Sequence, residues 1–181
     1  MTSQGIALLS FDFTGLGSSS GEFESTNFST NVQDLLDASS WLTKEYAAPS
    51  ILIGHSLGGA AVLSAATEIP DVRAVATIGS PFDPAHVKGL FREDIASIEE
   101  HGEARVLLAG REFTIRKSFL DDLRARDSQE QIGALKRALL IFHAPLDQTV
   151  GIENAGLIFD AAKHPKSFVS LDQADHLLTQ R

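Results

Sequence analysis

Five short apolar runs punctuate the chain: Ile6–Phe11, Ser50–Ile53, Ala74–Ile78, Ala138–His143 and Ser167–Leu171. The second, third and fourth are nearly continuous in apolar residues, the pattern of strands covered on both faces rather than of strands with one wet side. Between them the periodicity turns helical. Phe28, Val32, Leu35, Leu36, Leu42 and Tyr46 recur at helical spacing, Leu57 to Ile69 forms an Ala-rich apolar stretch, and Ala155, Ile158, Phe159 and Ala162 make a third such stripe. Pro49 and the His164-Pro165 pair fall just past predicted helix ends, where proline stops the pattern. Strand and helix alternating in this way predict an α/β fold: a mainly parallel sheet of about five strands, right-handed crossovers and helices on both faces.

Residues 82–137 break this rhythm. Asp83-Pro84 is a helix start, with Asp as cap and Pro in the first turn. Val87, Leu90, Phe91, Ile95 and Ile98 mark one apolar face that ends near Gly102. Arg105–Leu108 and Phe113–Ile115 flank Ala109-Gly110 as a small hairpin, and a charged helix follows with Phe119, Leu120 and Leu123 on its inner side. Such an insertion between two strands is expected to form a cap over their carboxyl ends, within one domain spanning residues 1–181.

The junction Gly54-His55-Ser56-Leu57-Gly58 lies between the apolar run ending at Ile53 and the Ala-rich helix. A serine there sits on a sharp strand-to-helix turn with its hydroxyl pushed out, and small residues two before and two after let the elements approach: hence Gly54 and Gly58. A serine hydroxyl becomes a useful nucleophile only when a base takes its proton and a third group orients that base. Asp147, on the loop HAPLDQTVG, and His176, on the loop DQADHLLT, each follow the carboxyl end of a predicted strand. They match the order Ser, acid, His expected for this turn, and that edge of an open sheet is where ligands bind. Asp172 and Asp175 compete for the acid role but share the loop of His176 and would need a tight reversal to reach its ring. His55 is expected to shape the turn.

Composition narrows the classes. With 181 residues and 43% apolar content the chain can bury a substantial core, and no run nears the roughly 20 apolar residues a membrane helix needs. The start MTSQGIALLSFDF lacks the basic flank and cleavage site of a signal peptide, and the absence of cysteine fits a reducing cytoplasm. A formal charge of −9 argues against nucleic acid and anionic membranes as partners. No histidine pair has helical metal spacing, and Gly15-Leu16-Gly17-Ser18-Ser19-Ser20-Gly21 misses the dinucleotide fingerprint by one residue and the phosphate-loop lysine altogether. Neither a cofactor nor a metal is expected. The glycine-rich loop reads as a turn out of the first strand, anchored by Asp12.

The stretches GIALLSFDFTGLGSSSGEF, IGHSLGGAAVLSAA, RAVATIGSPFDPAHV, HAPLDQTVG and HPKSFVSLDQADHLL together resemble the α/β-hydrolase superfamily, and most closely the hydrolase halves of bacterial proteins fused to an OsmC-like domain. The resemblance implies Ser56 as nucleophile, His176 as general base and acid, Asp147 as its orienting partner, the amide of Leu57 as an oxyanion donor, and residues 82–137 as the family's cap. It implies a carboxylic ester hydrolase working through an acyl-enzyme on small esters. The likeness starts at the family's fourth strand and stops before its final helix. Two expectations follow from that. The second oxyanion donor, carried in the family by the loop after the third strand, must come from elsewhere, such as an amide of the Gly15–Ser20 loop or a neighbouring subunit. The strands Ile6–Phe11 and Ser50–Ile53 must close up or have their gap filled, leaving apolar surface for a homo-oligomer to bury. A binding or assembly module that keeps the triad with weakened catalysis is the rival reading.

Overall fold

In chain order the elements are a short 3-10 turn (Phe23–Ser25), helix α1 (Phe28–Glu45), strand β1 (Ile51–His55), helix α2 (Leu57–Ala65), strand β2 (Ala74–Ile78), a longer 3-10 segment (Pro84–Asp94), helix α3 (Ile95–His101), strands β3 (Glu103–Leu108) and β4 (Arg111–Arg116), helices α4 (Lys117–Arg124) and α5 (Ser128–Gly133), strand β5 (Ala138–His143), helix α6 (Glu153–Ala161) and strand β6 (Lys166–Ser170). These come from a computed structural model that describes residues 5–108, 111–124 and 127–179. Asn27 starts α1 with a capping box: its side chain accepts from the Thr30 amide while the Thr30 hydroxyl accepts from the Asn27 amide. Such a cap contributes about 1 kcal/mol.

The main sheet is all parallel, in the order β1-β2-β5-β6. Among the described residues this sheet has four strands where the pattern predicts five. Ile6–Phe11 forms no strand, and Ile6, Leu8, Leu9 and Phe11 are all exposed. An extended segment becomes a strand only when a neighbour takes its backbone hydrogen bonds, and β1 pairs with β2 alone among the described residues. The predicted closing-up of Ile6–Phe11 against β1 therefore does not occur, and β1 is an edge.

Chain order and sheet order coincide, so every crossover steps the same way along the sheet. With right-handed crossovers, all connecting helices then fall on one side. Accordingly α1 packs on α2, α2 on α5 and α5 on α6. The strand positions facing them (Val75, Thr77, Leu139 and Ile141) are buried, whereas Ile51 and Ile53 on the opposite face are each 59% exposed. Among the described residues, the expected cover on both faces is thus a cover on one. The near-continuous apolar runs carry both faces in sequence, but only one is packed here.

Within residues 82–137, β3 and β4 form the predicted hairpin in antiparallel register from Glu103↔Arg116 to Leu108↔Arg111; its turn, Ala109-Gly110, lies outside the described residues. Asp83 caps the 3-10 segment through the Ala85 amide, with Pro84 at its start. The predicted single apolar face fails at Leu90, which is 51% exposed. The backbone at Phe91 leaves helical geometry (φ −137°, ψ 39°), so Phe91 turns inward against Phe119 while its neighbours stay outside. The segment is fastened to the main body by Arg116 on Glu24 (2.5 Å), by the Ser29 amide on Asp122 (2.8 Å) and by Phe113 against Phe23 (4.7 Å between ring centres).

Candidate active site

Ser56 follows β1 at φ 52° and ψ −129°, a left-handed conformation that a side chain tolerates only under constraint. The constraint is visible: the Ser56 amide donates to the Ile78 carbonyl at 2.9 Å, and α2 begins at the next residue. Gly54 is required sterically, since a Cβ there would lie 2.2 Å from the Gly58 carbonyl oxygen. Gly58 is not, because a Cβ on it would meet nothing within 4 Å. The close approach at the second position belongs to Gly59, whose Cβ would fall 2.5 Å from the Cβ of Ser80. The expectation for Gly58 is corrected accordingly: it contributes its backbone carbonyl, and it is Gly59 whose bareness lets α2 reach the β2 end.

The three separated residues meet at the carboxyl edge of the sheet. His176 Nε2 lies 3.0 Å from Ser56 Oγ, and His176 Nδ1 lies 2.7 Å from Asp147 Oδ2. A carboxylate can only accept, so Nδ1 carries the proton and Nε2 faces the serine as an acceptor. The rival acids are occupied elsewhere, Asp172 by the Ser170 hydroxyl and Asp175 by the Thr179 amide. Asp147 is buried, and its other oxygen accepts from the amides of Thr149 (2.8 Å) and Val150 (2.9 Å). Burial is the largest single influence on its carboxyl and pushes the pKa up. The hydrogen bonds from His176, Val150 and Thr149, with the histidine's charge, together outweigh it and hold the group below its ordinary value.

Two histidines brace this cluster. His55 Nε2 donates to the carbonyl of His176 at 2.6 Å and its ring lies tilted against that of His176, centres 4.8 Å apart. His143, fully buried at the end of β5, donates from Nε2 to the Val150 carbonyl at 2.8 Å and so fixes the loop that presents Asp147. Gly79, at φ 53°, is a further participant that spacing did not reveal. A Cβ there would stand 3.2 Å from Asp147 Oδ2 and 3.4 Å from His176 Nδ1 and so crowd that hydrogen bond, at a positive φ that itself favours glycine. A glycine directly after a predicted strand, in IGSPFD, is the one signal that could have found it.

Leu57 stands first in α2, where a helix amide has no intrahelical partner and points outward. In the Gly15–Ser20 loop, by contrast, the amides of Gly15, Leu16, Ser18 and Ser19 are spent on Ser20, Phe13, Asp12 and Leu16 respectively. Asp12 anchors this loop as expected, and in doing so removes the Ser18 amide as an oxyanion donor.

The sequence profile of the serine aminopeptidase S33 family matches residues 1–106. Among solved structures, the esterase domain of a Rhodothermus marinus protein is 49% identical, with a TM-score of 0.67 over 89% of this chain and 66% of that one. Mouse alpha/beta hydrolase domain-containing protein 10 is 25% identical, with a TM-score of 0.73 over 94% of this chain and 70% of that one. Est1E from Butyrivibrio proteoclasticus, solved with ferulic acid, shares the fold at 18% identity and a TM-score of 0.72, over 94% of this chain and 69% of that one. The chain spans about two thirds of the length of these relatives. No curated protein matches it. No helix among the described residues is long and apolar enough to cross a membrane.

Proposed function

The chain belongs to the serine aminopeptidase S33 family of the α/β-hydrolase superfamily, and from that premise we propose that it is a serine hydrolase of small carboxylic esters, with Ser56 as nucleophile, His176 as base and acid, and Asp147 as the group that orients His176. In this reading Ser56 Oγ attacks the ester carbonyl carbon as its proton passes to His176 Nε2. The imidazolium so formed is stabilised by Asp147 through Nδ1–H. The tetrahedral oxyanion takes the Leu57 N–H, and its collapse releases the alcohol, which leaves with the proton from His176. A water then gives its proton to His176 and its oxygen to the acyl carbon, and the carboxylic acid departs as Ser56 Oγ is reprotonated.

The observation that carries this reading is the continuous Ser56–His176–Asp147 chain of contacts at 3.0 and 2.7 Å. Residues 82–137 act as the cap, the working compartment is the cytoplasm, and the exposed apolar sheet face is buried in a homo-oligomer. One observation favours a second reading, a binding module with weakened catalysis: four amides of the loop that could complete the oxyanion hole, those of Gly15, Leu16, Ser18 and Ser19, are already engaged. Losing one such donor costs on the order of 10²–10³ in turnover. Hydrolysis of p-nitrophenyl acetate and butyrate by the wild type and by Ser56→Ala, with fluorophosphonate labelling of both, separates the two. Turnover and a Ser56 adduct that both vanish in Ser56→Ala uphold the hydrolase. A folded wild type that neither turns over nor labels leaves the binding module.

A further inference from the structure

Beside the acid loop lies a groove of about 570 Å³, walled by the 3-10 segment on one side and by Gln148 and Thr149, which directly follow Asp147, on the other. His86 joins the two walls by donating from Nε2 to the Thr149 carbonyl at 3.0 Å, and the Thr149 amide in turn binds Asp147. The groove's charged lining is of one sign. Lys88 and Arg92 face it, neither paired with a carboxylate among the described residues, in a chain whose net charge is −9. The remaining wall is apolar, with Leu90 and Ile95. The kink at Phe91 produces this arrangement. It sends Phe91 into the core and leaves Leu90 and Arg92 outside, where an unbroken helical face would have buried Leu90 with Phe91.

Two unpaired cations over an apolar wall suit a ligand with a short hydrocarbon body and a negative end. Resting on the ester-hydrolase reading above, we propose that this groove is an anion subsite for the substrate, and that the preferred esters carry a carboxylate. Positive charge there also raises the local concentration of such a substrate against the repulsion of the acidic surface.

The test uses matched pairs: mono-p-nitrophenyl glutarate against its methyl ester, which puts the charge on the acyl side, and 4-carboxyphenyl butyrate against its methyl ester, which puts it on the alcohol side. The anionic member of at least one pair should have a kcat/KM about tenfold higher, the scale of two partly exposed ion pairs. That ratio should approach unity in Lys88→Gln/Arg92→Gln and, without any substitution, in about 0.5 M salt, where charges several Å apart are screened. No preference in either pair, or a preference that survives both treatments, overturns the subsite. Calorimetric titration of Ser56→Ala with mono-p-nitrophenyl glutarate and with 4-carboxyphenyl butyrate keeps the two ideas apart. Binding that weakens about tenfold when the Lys88 and Arg92 substitutions are added upholds the groove even where the wild type hydrolyses nothing. Absence of binding alongside Ser56-dependent turnover of neutral esters sinks the groove and leaves the hydrolase standing.

Discussion

His55 and His176 are joined twice: the His55 Nε2–H donates to the backbone carbonyl of His176 at 2.6 Å, and the two rings lie against each other, tilted by 42°, with centres 4.8 Å apart. In the proposed mechanism, the residue before the nucleophile thereby holds the residue that deprotonates it. The consequence is a predicted kinetic signature. His55→Leu should lower kcat for p-nitrophenyl butyrate about threefold to tenfold, the value of one net hydrogen bond of about 0.5–1.5 kcal/mol, while KM stays nearly constant. His55→Gln, which can still donate, should recover part of the loss. A change confined to KM would show that His55 touches substrate rather than positioning His176.

The backbone of Ser56 carries a second prediction. At φ 52° and ψ −129° a side-chain-bearing residue is strained by about 1–3 kcal/mol, and glycine is not. Both Ser56→Ala and Ser56→Gly remove the hydroxyl and should abolish ester turnover. Only Ser56→Gly relieves the strain, at an entropic cost of about 0.5–1 kcal/mol. Thermal melts should therefore rank Ser56→Gly above Ser56→Ala. Equal melting temperatures would mean that the turn is relaxed without glycine.

The glycines around the turn divide in a way that tests the packing directly. Gly54→Ala and Gly59→Ala drive a Cβ into the Gly58 carbonyl oxygen at 2.2 Å and into Ser80 Cβ at 2.5 Å, and both should unfold at markedly lower temperature. Gly58→Ala meets nothing and lies inside α2, where alanine is worth up to about 1 kcal/mol over glycine, so it should be neutral or stabilising.

These contrasts mark what was legible in the chain. The nucleophile turn, the acid loop and the histidine loop could be read because each sits at the end of an apolar run, and runs at β2 and β5 have the bounds the pattern gives them. Asp83-Pro84 and the inner face of α4 were legible for the same reason: capping and periodicity are local. What failed depends on neighbours. Ile6–Phe11 has a strand's composition but finds no partner for its backbone, and Leu90 has the right spacing but lies beyond a kink at Phe91 that periodicity does not encode. Gly59 and Gly79 matter through contacts with Ser80, Asp147 and His176, residues 21 to 97 positions away, which no local pattern contains.

Acid stability should report on Asp147. Its folded pKa lies below the ordinary value of 3.8, so the fold favours the carboxylate. The stabilisation this gives is fully present above that ordinary value and is lost as pH falls through the lower, folded one. Melting temperatures followed from about pH 5 down to about pH 2 should decline on this limb in the wild type, and the decline should be shallower in Asp147→Asn. The same substitution should cost about 10⁴ in kcat, because the amide can present a donor to His176 Nδ1 and favour the wrong tautomer.

The bare face of the sheet makes the last prediction. Ile51 and Ile53 lie on an edge strand whose outer backbone groups have no described partner, and each is 59% exposed; Val169, on the same face at β6, is 39% exposed. An unpaired edge beside apolar side chains is a template for another strand. Two copies of this chain meeting edge to edge would pair these backbone groups and set Ile51 and Ile53 beside their counterparts on the continued face, whereas a helix laid across the face would leave the backbone groups unpaired. Sedimentation velocity at micromolar concentration should therefore find a dimer or larger species, and Ile51→Lys/Ile53→Lys should shift it to monomer with the Ser56–His176–Asp147 contacts, and so the turnover per chain, retained. A monomeric wild type would show that this edge stands alone in solution.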